Sequence, residues 1–230
     1  MQENMPKSSI WVVCAAYNEA TTIAQVAVGV AREGYNVVVV DDGSTDATAQ
    51  IAAVAATTVI RHPINLGQGA ALKTGIDYAL LAGADVIVTF DADGQHRSSD
   101  IRRLLDALAR EQADVALGSR FLGQSRDVPV LRSALLRAAT LFTRLSTGLR
   151  LTDTHNGLRA FTRRGAAALR LRQNRMAHAS EMLAEIARNR LRHVEVPVTI
   201  DYTEYSLAKG QRTGDFMVIL LDLFVRKLHR

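Results

Sequence analysis

Three short apolar runs, each followed closely by acidic residues, most constrain the fold of this 230-residue chain. The runs are rich in β-branched residues, which is typical of strands buried on both faces of a parallel sheet. They span residues 10–14, 37–40 and 85–90. Open α/β sheets bind their ligands at the carboxyl ends of the strands, so the acids after these runs are candidate site residues.

The first half of the chain alternates between such apolar runs and amphipathic stretches. This alternation favours an α/β fold with a mainly parallel, Rossmann-like sheet flanked by helices and joined by right-handed crossovers. We predict strands at 10–14, 37–41, 57–60, 85–90 and 114–118, and helices at 21–33, 45–55, 68–82 and 98–110. Past residue 120 the alternation breaks, and the pattern predicts helices at 130–149, 178–189 and 216–228.

The strand ends bring several oxygen donors to one edge of the predicted sheet. Asp91, Asp93 and Gln95 offer the hard donors that Mg²⁺ or Mn²⁺ binds together with substrate phosphates. The same residues could instead form a plain turn that closes the strand. Likewise, Glu19 and Asp42 could cap the helices that follow them rather than bind a ligand.

A glycine-rich segment, 65–72, opens the third predicted helix. Gly67 and Gly69 match the first two glycines of the dinucleotide-binding fingerprint, but Leu72 stands where the third belongs. These glycines also follow the third strand rather than the first, and no Walker lysine motif is present. The segment therefore argues against a dehydrogenase.

Charge is divided unevenly along the chain. Residues 1–119 carry 8 basic and 14 acidic residues, whereas 120–175 carry 12 arginines and two acids. This cationic middle indicates an anionic partner, since arginine binds phosphate in a bidentate manner, although many of these arginines could lie on solvated helix faces. Aromatic residues make up only 5% of the chain and no stacking module is evident, so we expect no nucleic-acid partner.

The chain shows no features of a secreted or membrane-spanning protein. Its single cysteine, Cys14, lies in a predicted strand and excludes a disulfide framework. Residues 1–9 are polar, and no apolar stretch reaches the ~18–20 residues of a membrane span. We expect a cytoplasmic protein that is peripheral on the membrane. Segments 130–149 and 216–228 could lie in the membrane interface, or the latter could pack on the domain or in a homo-oligomer interface.

The acidic strand ends and the glycine-rich segment, in this order and spacing, resemble the family 2 glycosyltransferases, which have the GT-A fold. Among these, the chain looks most like the polyprenyl-phosphate (dolichyl-phosphate) mannose and glucose synthases. The resemblance covers roughly residues 8–212, followed by a C-terminal apolar and basic helix over 213–230. It implies that a hexose moves, with inversion, from GDP-mannose or UDP-glucose to a polyprenyl phosphate with the help of Mg²⁺ or Mn²⁺.

The resemblance also implies roles for individual residues in the first half. Asp91, Asp93 and Gln95 match the family's metal and diphosphate positions. The residues that match its donor-binding positions are Ala15, Tyr17, Glu19, Asp41, Asp42 and Ala92. The family usually has proline where this chain has Ala15, a change that removes no functional group.

The acceptor side of the resemblance lies in the second half. Arg120 and Arg132 match phosphate-binding arginines, and Asp153 begins a segment similar to the family's Asp-x-x-x-Gly-Phe-Arg. Glu181 matches an acid on the acceptor side. Lys209 belongs to a late Ser/Lys loop that folds over the donor diphosphate, although the loop is one residue longer than expected.

The acceptor decides the mechanism. A polyprenyl phosphate is already ionised near neutral pH, so arginines need only position it for attack. A sugar hydroxyl would instead require a carboxylate base, for which Asp153 and Glu181 are the candidates. A non-catalytic nucleotide-sugar or lipid-binding module is a further alternative, but such a module would be expected to lose its acids first.

Overall fold

A computed structural model of the protein describes residues 9–123, 140–141 and 143–201. The predicted segment 213–230 and the site candidates Arg132 and Lys209 lie outside these residues. Much of the predicted helix 130–149 lies outside them as well, but its residues 143–147 are helical. In the described part of the chain, no helix combines the length and the apolar character needed to cross a bilayer.

Seven strands of the described chain form one sheet, with helices on both faces. The strands are β1 (Ile10–Ala16), β2 (Asn36–Asp41), β3 (Thr58–Arg61), β4 (Val86–Asp91), β5 (Val115–Ser119), β6 (Arg159–Thr162) and β7 (His193–Pro197). The helices are α1 (Ile23–Arg32), α2 (Thr48–Ala52), α3 (Gln68–Leu81), α4 (Ser99–Arg110), α5 (Arg163–Ala167) and α6 (His178–Arg188).

The strand order is β3-β2-β1-β4-β6-β5-β7. Strands β1 to β4 pair in parallel, as do β5 and β7, which confirms the predicted mainly parallel sheet. Strand β6 was not predicted, and it runs antiparallel between β4 and β5. It is only four residues long and begins with an arginine, so it carries no periodic signal of its own.

Two apolar layers bury the two faces of the sheet. Because neighbouring residues of a strand point to opposite faces, Val12 packs in one layer and Val13 in the other. Helices α1 and α4 cover the first layer, while α3 and α6 cover the second. Burial on both faces explains why these strands read as continuous apolar runs.

Helix α2 is shorter than the sequence predicts, spanning Thr48–Ala52 rather than 45–55. The side chain of Asp46 accepts a hydrogen bond from the Thr48 backbone N–H at 2.9 Å, which holds the preceding residues in a turn. The effect of this turn is to place the loop after β2 against the loop after β1, where the Ala20 N–H lies 3.2 Å from Asp46 Oδ2.

We expect Gly75→Ala to destabilise the fold because Gly75 lets α3 lie directly on the sheet. A Cβ atom at this position would lie 2.3 Å from Val13 Cγ1 and 3.2 Å from Val40 Cγ2. Overpacking of this kind costs about 1–3 kcal/mol in the free energy of unfolding, which urea denaturation measures.

The matched control is Gly29→Ala in α1, where the nearest heavy atom to an added Cβ would be Ser98 Oγ at 3.8 Å. This change should be neutral or stabilise the helix by up to about 1 kcal/mol. Equal losses in the two variants would contradict the close packing of α3.

Candidate functional site

A cavity of about 490 Å³ opens at the carboxyl ends of the central strands. It is lined by nine of the residues predicted from the sequence, namely Ala15, Tyr17, Glu19, Asp42, Asp91, Ala92, Asp93, Gln95 and Arg120. The other three predicted residues in the described chain, Asp41, Asp153 and Glu181, are not among the residues that line it. The carboxyl edge of the sheet is thus where the candidate site lies.

The register between β1 and β4 assembles the acidic wall of this cavity. Ala15 pairs with Asp91, so the segment after β1 lies beside the segment after β4. The two segments are joined by Thr22, whose Oγ1 donates to the Ala92 carbonyl at 2.8 Å and lies 3.1 Å from Glu19 Oε2. The carboxylates of both segments are therefore held in a fixed relation.

Asp91 is fixed from several sides. Its Oδ2 lies 3.0 Å from His96 Nε2, and its Oδ1 accepts from Gln68 Nε2 at 3.3 Å. Gly157 packs directly against the carboxyl group, since a Cβ atom there would lie 2.1 Å from Asp91 Oδ2. The Asp91 carboxylate consequently has little freedom to rotate.

The two aspartates of this wall have opposite pKa shifts. Burial by itself would raise the pKa of Asp91, but the hydrogen bond and charge of His96, with the charges of His178 and Arg159, lower it below its ordinary value. The pKa of Asp93 is raised to about 6 by burial and by the negative charge of Asp91. The negative charge of Asp91 thus disfavours the ionised form of Asp93, and a cation beside them would relieve this repulsion.

The acidic side chains of the cavity do not by themselves provide a complete set of ligands for a divalent cation. The described residues contain no group of three or more His, Cys, Asp or Glu side chains that could hold a metal ion. Asp91, Asp93 and the amide of Gln95 line the same cavity, and the Gln95 backbone N–H donates to Asp93 Oδ1 at 3.0 Å. A Mg²⁺ or Mn²⁺ ion there would need substrate or water oxygens to complete its shell, as such ions usually do.

Asp42 organises the glycine-rich loop. Its Oδ2 accepts from the Gly67 N–H at 2.7 Å, and its Oδ1 accepts from the Leu66 N–H at 3.0 Å and lies 2.7 Å from His62 Nδ1. The other ring nitrogen of His62 lies 3.0 Å from Thr74 Oγ1. Asp42 therefore ties down the loop at the start of α3, not the helix that follows it in sequence.

Asp41 lies beneath the cavity wall. Its side chain is fully buried, its Oδ1 accepts from the Ser44 N–H at 3.0 Å, and its Oδ2 lies 3.2 Å from Arg61 Nε. The hydroxyl of Ser44 in turn accepts from the Asn18 N–H at 2.9 Å. Asp41 thus connects the loops after β1 and β2.

Arg120 reaches the cavity from the end of β5 and is held by Asp153. Its Nε lies 2.6 Å from Asp153 Oδ2, and its Nη2 donates to the His155 carbonyl at 3.0 Å. The Asp153 side chain is only 1% exposed. A buried pair of this kind is costly to break because removing one partner leaves the other charge uncompensated. Asp153 is therefore engaged in positioning Arg120.

Glu181 organises a neighbouring loop. Its Oε2 accepts from the backbone N–H groups of Arg172 and Gln173, at 2.9 and 2.8 Å. Neither of the two carboxylates predicted as bases for a hydroxyl acceptor is thus among the groups that line the cavity.

Several lining residues were not assigned to the site from the sequence, among them Gln68, His155, Gly157, Arg175 and Met176. Those at 155 and 157 lie within the segment that begins at the predicted Asp153, so the similarity of that segment to the family motif could have indicated them. Those at 175 and 176 belong to an irregular segment with no periodic pattern. Burial lowers the pKa of His155 to about 4, so its imidazole is neutral at pH 7.

Comparison with known proteins identifies the family. The model of glycosyl transferase family 2 matches residues 11–169, which is more than half of the chain. The chain belongs to this family. It is a glycosyltransferase with a GT-A-like fold, as its sequence predicts.

Two relatives of the family 2 chain cover nearly all of it. The UDP-N-acetylglucosamine–dolichyl-phosphate N-acetylglucosaminyltransferase of Methanococcus voltae is 32% identical, over 97% of this chain and 98% of the relative. The polyprenol monophosphomannose synthase of Mycolicibacterium smegmatis is 31% identical, over 91% and 83%.

A solved structure has the same fold. Glucosyl-3-phosphoglycerate synthase from Mycobacterium tuberculosis, in complex with Mn²⁺, UDP-glucose and phosphoglyceric acid, superimposes with a TM-score of 0.70 at 20% identity. The match covers 91% of this chain and 75% of the synthase.

We expect Asp93→Asn to stabilise the protein in EDTA in a pH-dependent way. The pKa of Asp93 is about 6 in the folded protein, above the ~3.9 of an unfolded aspartate. The folded state then binds the proton more tightly, so this carboxyl lowers stability as pH rises from about 4 to 6. The free energy of unfolding of the variant should exceed that of the unmodified chain by about 1–2 kcal/mol at pH 8, less than the full pKa shift implies because solvent partly screens the carboxyl. At pH 4 the two proteins should be equally stable.

Thermal unfolding across this pH range measures the effect. Asp77→Asn is the control, because that aspartate is 53% exposed on α3 and pairs with Lys73. A gain for Asp93→Asn that is the same at pH 4 and pH 8 would contradict the raised pKa.

Proposed function

We propose that this glycosyltransferase moves a hexose, with inversion and with a divalent cation, from a nucleoside-diphosphate sugar to a polyprenyl phosphate. The observation that carries the proposal is the composition of the cavity. Its acidic wall contains Asp91 and Asp93, and its lining also includes Arg120. The predicted acceptor-side bases are not among the lining residues: Asp153 is paired with Arg120, and Glu181 accepts from the backbone of Arg172 and Gln173.

The relatives support this choice of substrates. The relative from Methanococcus voltae is named for dolichyl phosphate, and that from Mycolicibacterium smegmatis for the product polyprenol monophosphomannose. Their sugars differ, N-acetylglucosamine in one and mannose in the other. GDP-mannose, UDP-glucose and UDP-N-acetylglucosamine are therefore the donors to compare.

On the donor side, Asp91, Asp93 and Gln95 are the residues that would hold Mg²⁺ or Mn²⁺. When bound, the cation would neutralise the charge that grows on the leaving diphosphate. The protein's own contribution is a rigid acidic wall, since Asp91 is held by Gln68 and His96. Tyr17, which lines the same cavity and is 42% exposed, would contact the nucleotide.

On the acceptor side, Arg120 would bind the phosphate and direct one of its oxygens at the anomeric carbon. Asp153 holds the guanidinium so that its orientation is set before the substrate enters. An ionised phosphate oxygen attacks without losing a proton, so positioning is sufficient. A single displacement from the face opposite the diphosphate inverts the anomeric carbon.

The location of the enzyme follows from the acceptor. Polyprenyl phosphates reside in membranes, so we propose that the protein works at the cytoplasmic membrane surface as a peripheral protein. We also propose that the glycosyltransferase domain spans residues 8–212 and that a C-terminal helix spans 213–230. Association of the chain into a homo-oligomer is a further proposal.

The first test is transfer of radiolabel from each donor to polyprenyl phosphate in detergent with Mn²⁺ or Mg²⁺. We expect label in the organic phase with one donor and none after EDTA treatment. Asp93→Asn should lower the rate at least about 100-fold because it removes a carboxylate that would hold the cation, and the cation is what would stabilise the charge on the leaving diphosphate. Asp77→Asn should leave the rate unchanged. Undiminished transfer in EDTA or in Asp93→Asn would contradict the metal assignment.

A second test concerns Arg120→Lys, which keeps the positive charge beside Asp153 but loses the bidentate donor geometry. We expect KM for polyprenyl phosphate to rise about tenfold, the loss of roughly one charged hydrogen bond, with little change in nucleotide-sugar affinity. Arg110→Lys, on an exposed part of α4, is the matched control. A larger effect on nucleotide affinity than on KM for the lipid would move Arg120 to the donor side.

A further inference from the structure

Two irregular segments meet at the mouth of the cavity. One is 63–67, between β3 and α3, and the other is 170–176, between α5 and α6. The Ala70 N–H donates to the Asn174 carbonyl oxygen at 3.2 Å, and a Cβ atom at Gly67 would lie 2.3 Å from that same oxygen. The two segments are therefore packed together, and we call their exposed residues the mouth surface.

The mouth surface combines exposed apolar side chains with exposed cations. Ile64 is 64% exposed, Leu66 38% and Met176 37%. Segment 170–176 contributes three arginines, at 170, 172 and 175, all exposed, and no acid. The carboxylate of Glu181 faces this segment and already accepts two of its backbone N–H groups.

Two other exposed apolar residues, Val54 and Leu81, do not share this setting. Val54 is 86% exposed and lies just after α2, on the opposite face of the sheet. Leu81 is 88% exposed but ends α3, a helix of 14 residues that begins at the mouth, so it lies about 20 Å away. Single exposed apolar residues of this kind are ordinary.

We propose that the mouth surface docks on an anionic lipid bilayer, with the cavity opening toward the membrane. The inference rests on the proposed function, because a polyprenyl phosphate has to reach the cavity from a bilayer. Apolar side chains on exposed loops insert at the boundary between headgroups and acyl chains, and arginines beside them pair with lipid phosphates.

The choice of a bilayer follows from charge and position. Three arginines without an acid complement a negatively charged surface, and each adds about 1 kcal/mol near anionic lipid, which is about fivefold in affinity. Arg175 and Met176 belong both to this surface and to the cavity lining. A lipid whose phosphate enters the cavity would thus pass these side chains.

The experiment measures sedimentation of the full-length protein with phosphatidylcholine vesicles that contain or lack phosphatidylserine. The double variant Ile64→Ser with Leu66→Ser should weaken binding about tenfold or more. The matched control is Val54→Ser with Leu81→Ser, which removes apolar groups that are more exposed but lie away from the mouth, and this variant should bind as the unmodified chain does.

A charge variant tests the second component. Arg172→Gln with Arg175→Gln should lose about 25-fold in affinity for vesicles with phosphatidylserine and little for those without it. Arg102→Gln with Arg110→Gln, on the exposed side of α4, is the control and should change neither. Unchanged binding of both mouth variants, or equal losses in their controls, would overturn the proposal.

A labelling measurement serves if a mouth variant fails to fold. The chain has a single cysteine, Cys14, which is buried, so an introduced surface cysteine can be labelled selectively. An environment-sensitive fluorophore on Ile64→Cys should shift to the blue when anionic vesicles are added, whereas one on Leu81→Cys should not. No shift at position 64 would overturn the docking surface.

The docking surface and the proposed function can fail separately. Transfer to a short, water-soluble polyprenyl phosphate should be unchanged in Ile64→Ser, because no bilayer is involved. Insertion of a label at position 64 without any transfer by the unmodified chain would support the surface and refute the acceptor. Transfer without insertion would overturn the surface and leave the acceptor supported.

Discussion

The site depends on one register, the parallel pairing of β1 with β4 that sets Ala15 opposite Asp91. A shift by one residue would turn every side chain of a strand to the other face and disrupt both apolar layers at once. The burial of the strands on both faces therefore fixes the position of the carboxylates at their ends. The cavity is acidic at this place because the core allows no other alignment.

Keeping a charged aspartate at this edge requires support from deeper in the protein. Arg159 is buried, and burial lowers its pKa to about 10, although the negative charges of Asp91 and Asp153 oppose that shift. Its guanidinium donates to the carbonyl oxygens of Asn156 and Thr154 and to the sulfur of Met182, and none of these observed partners is a carboxylate. The guanidinium thus stabilises the charged form of Asp91 by its field, while the Asp91 oxygens remain at the cavity.

The sequence was informative where one local segment carries the whole signal. Strands buried on both faces appear in the sequence as continuous apolar runs. Once these strands are predicted to be parallel, the acids that follow them are predicted to lie at one edge of the sheet. Strand Arg159–Thr162 had no such signal, because its antiparallel position is decided by β4 and β5 on either side. The contact of Gly157 with Asp91 and the exposure of Arg175 and Met176 likewise depend on segments far apart in sequence, which no local pattern describes.

The cationic middle of the chain is not one patch, and this changes what its charge means. Among its described arginines, Arg159 is buried, Arg120 is paired with Asp153 on the cavity wall, and Arg163 donates to the carbonyls of Leu80, in the last turn of α3, and Ala84, just after it. These arginines stabilise the fold or are held in a fixed orientation by other residues of the chain. The cations left for a lipid surface are those on exposed segments such as 170–176, so the position of each arginine, rather than the net charge, determines where an anion can bind.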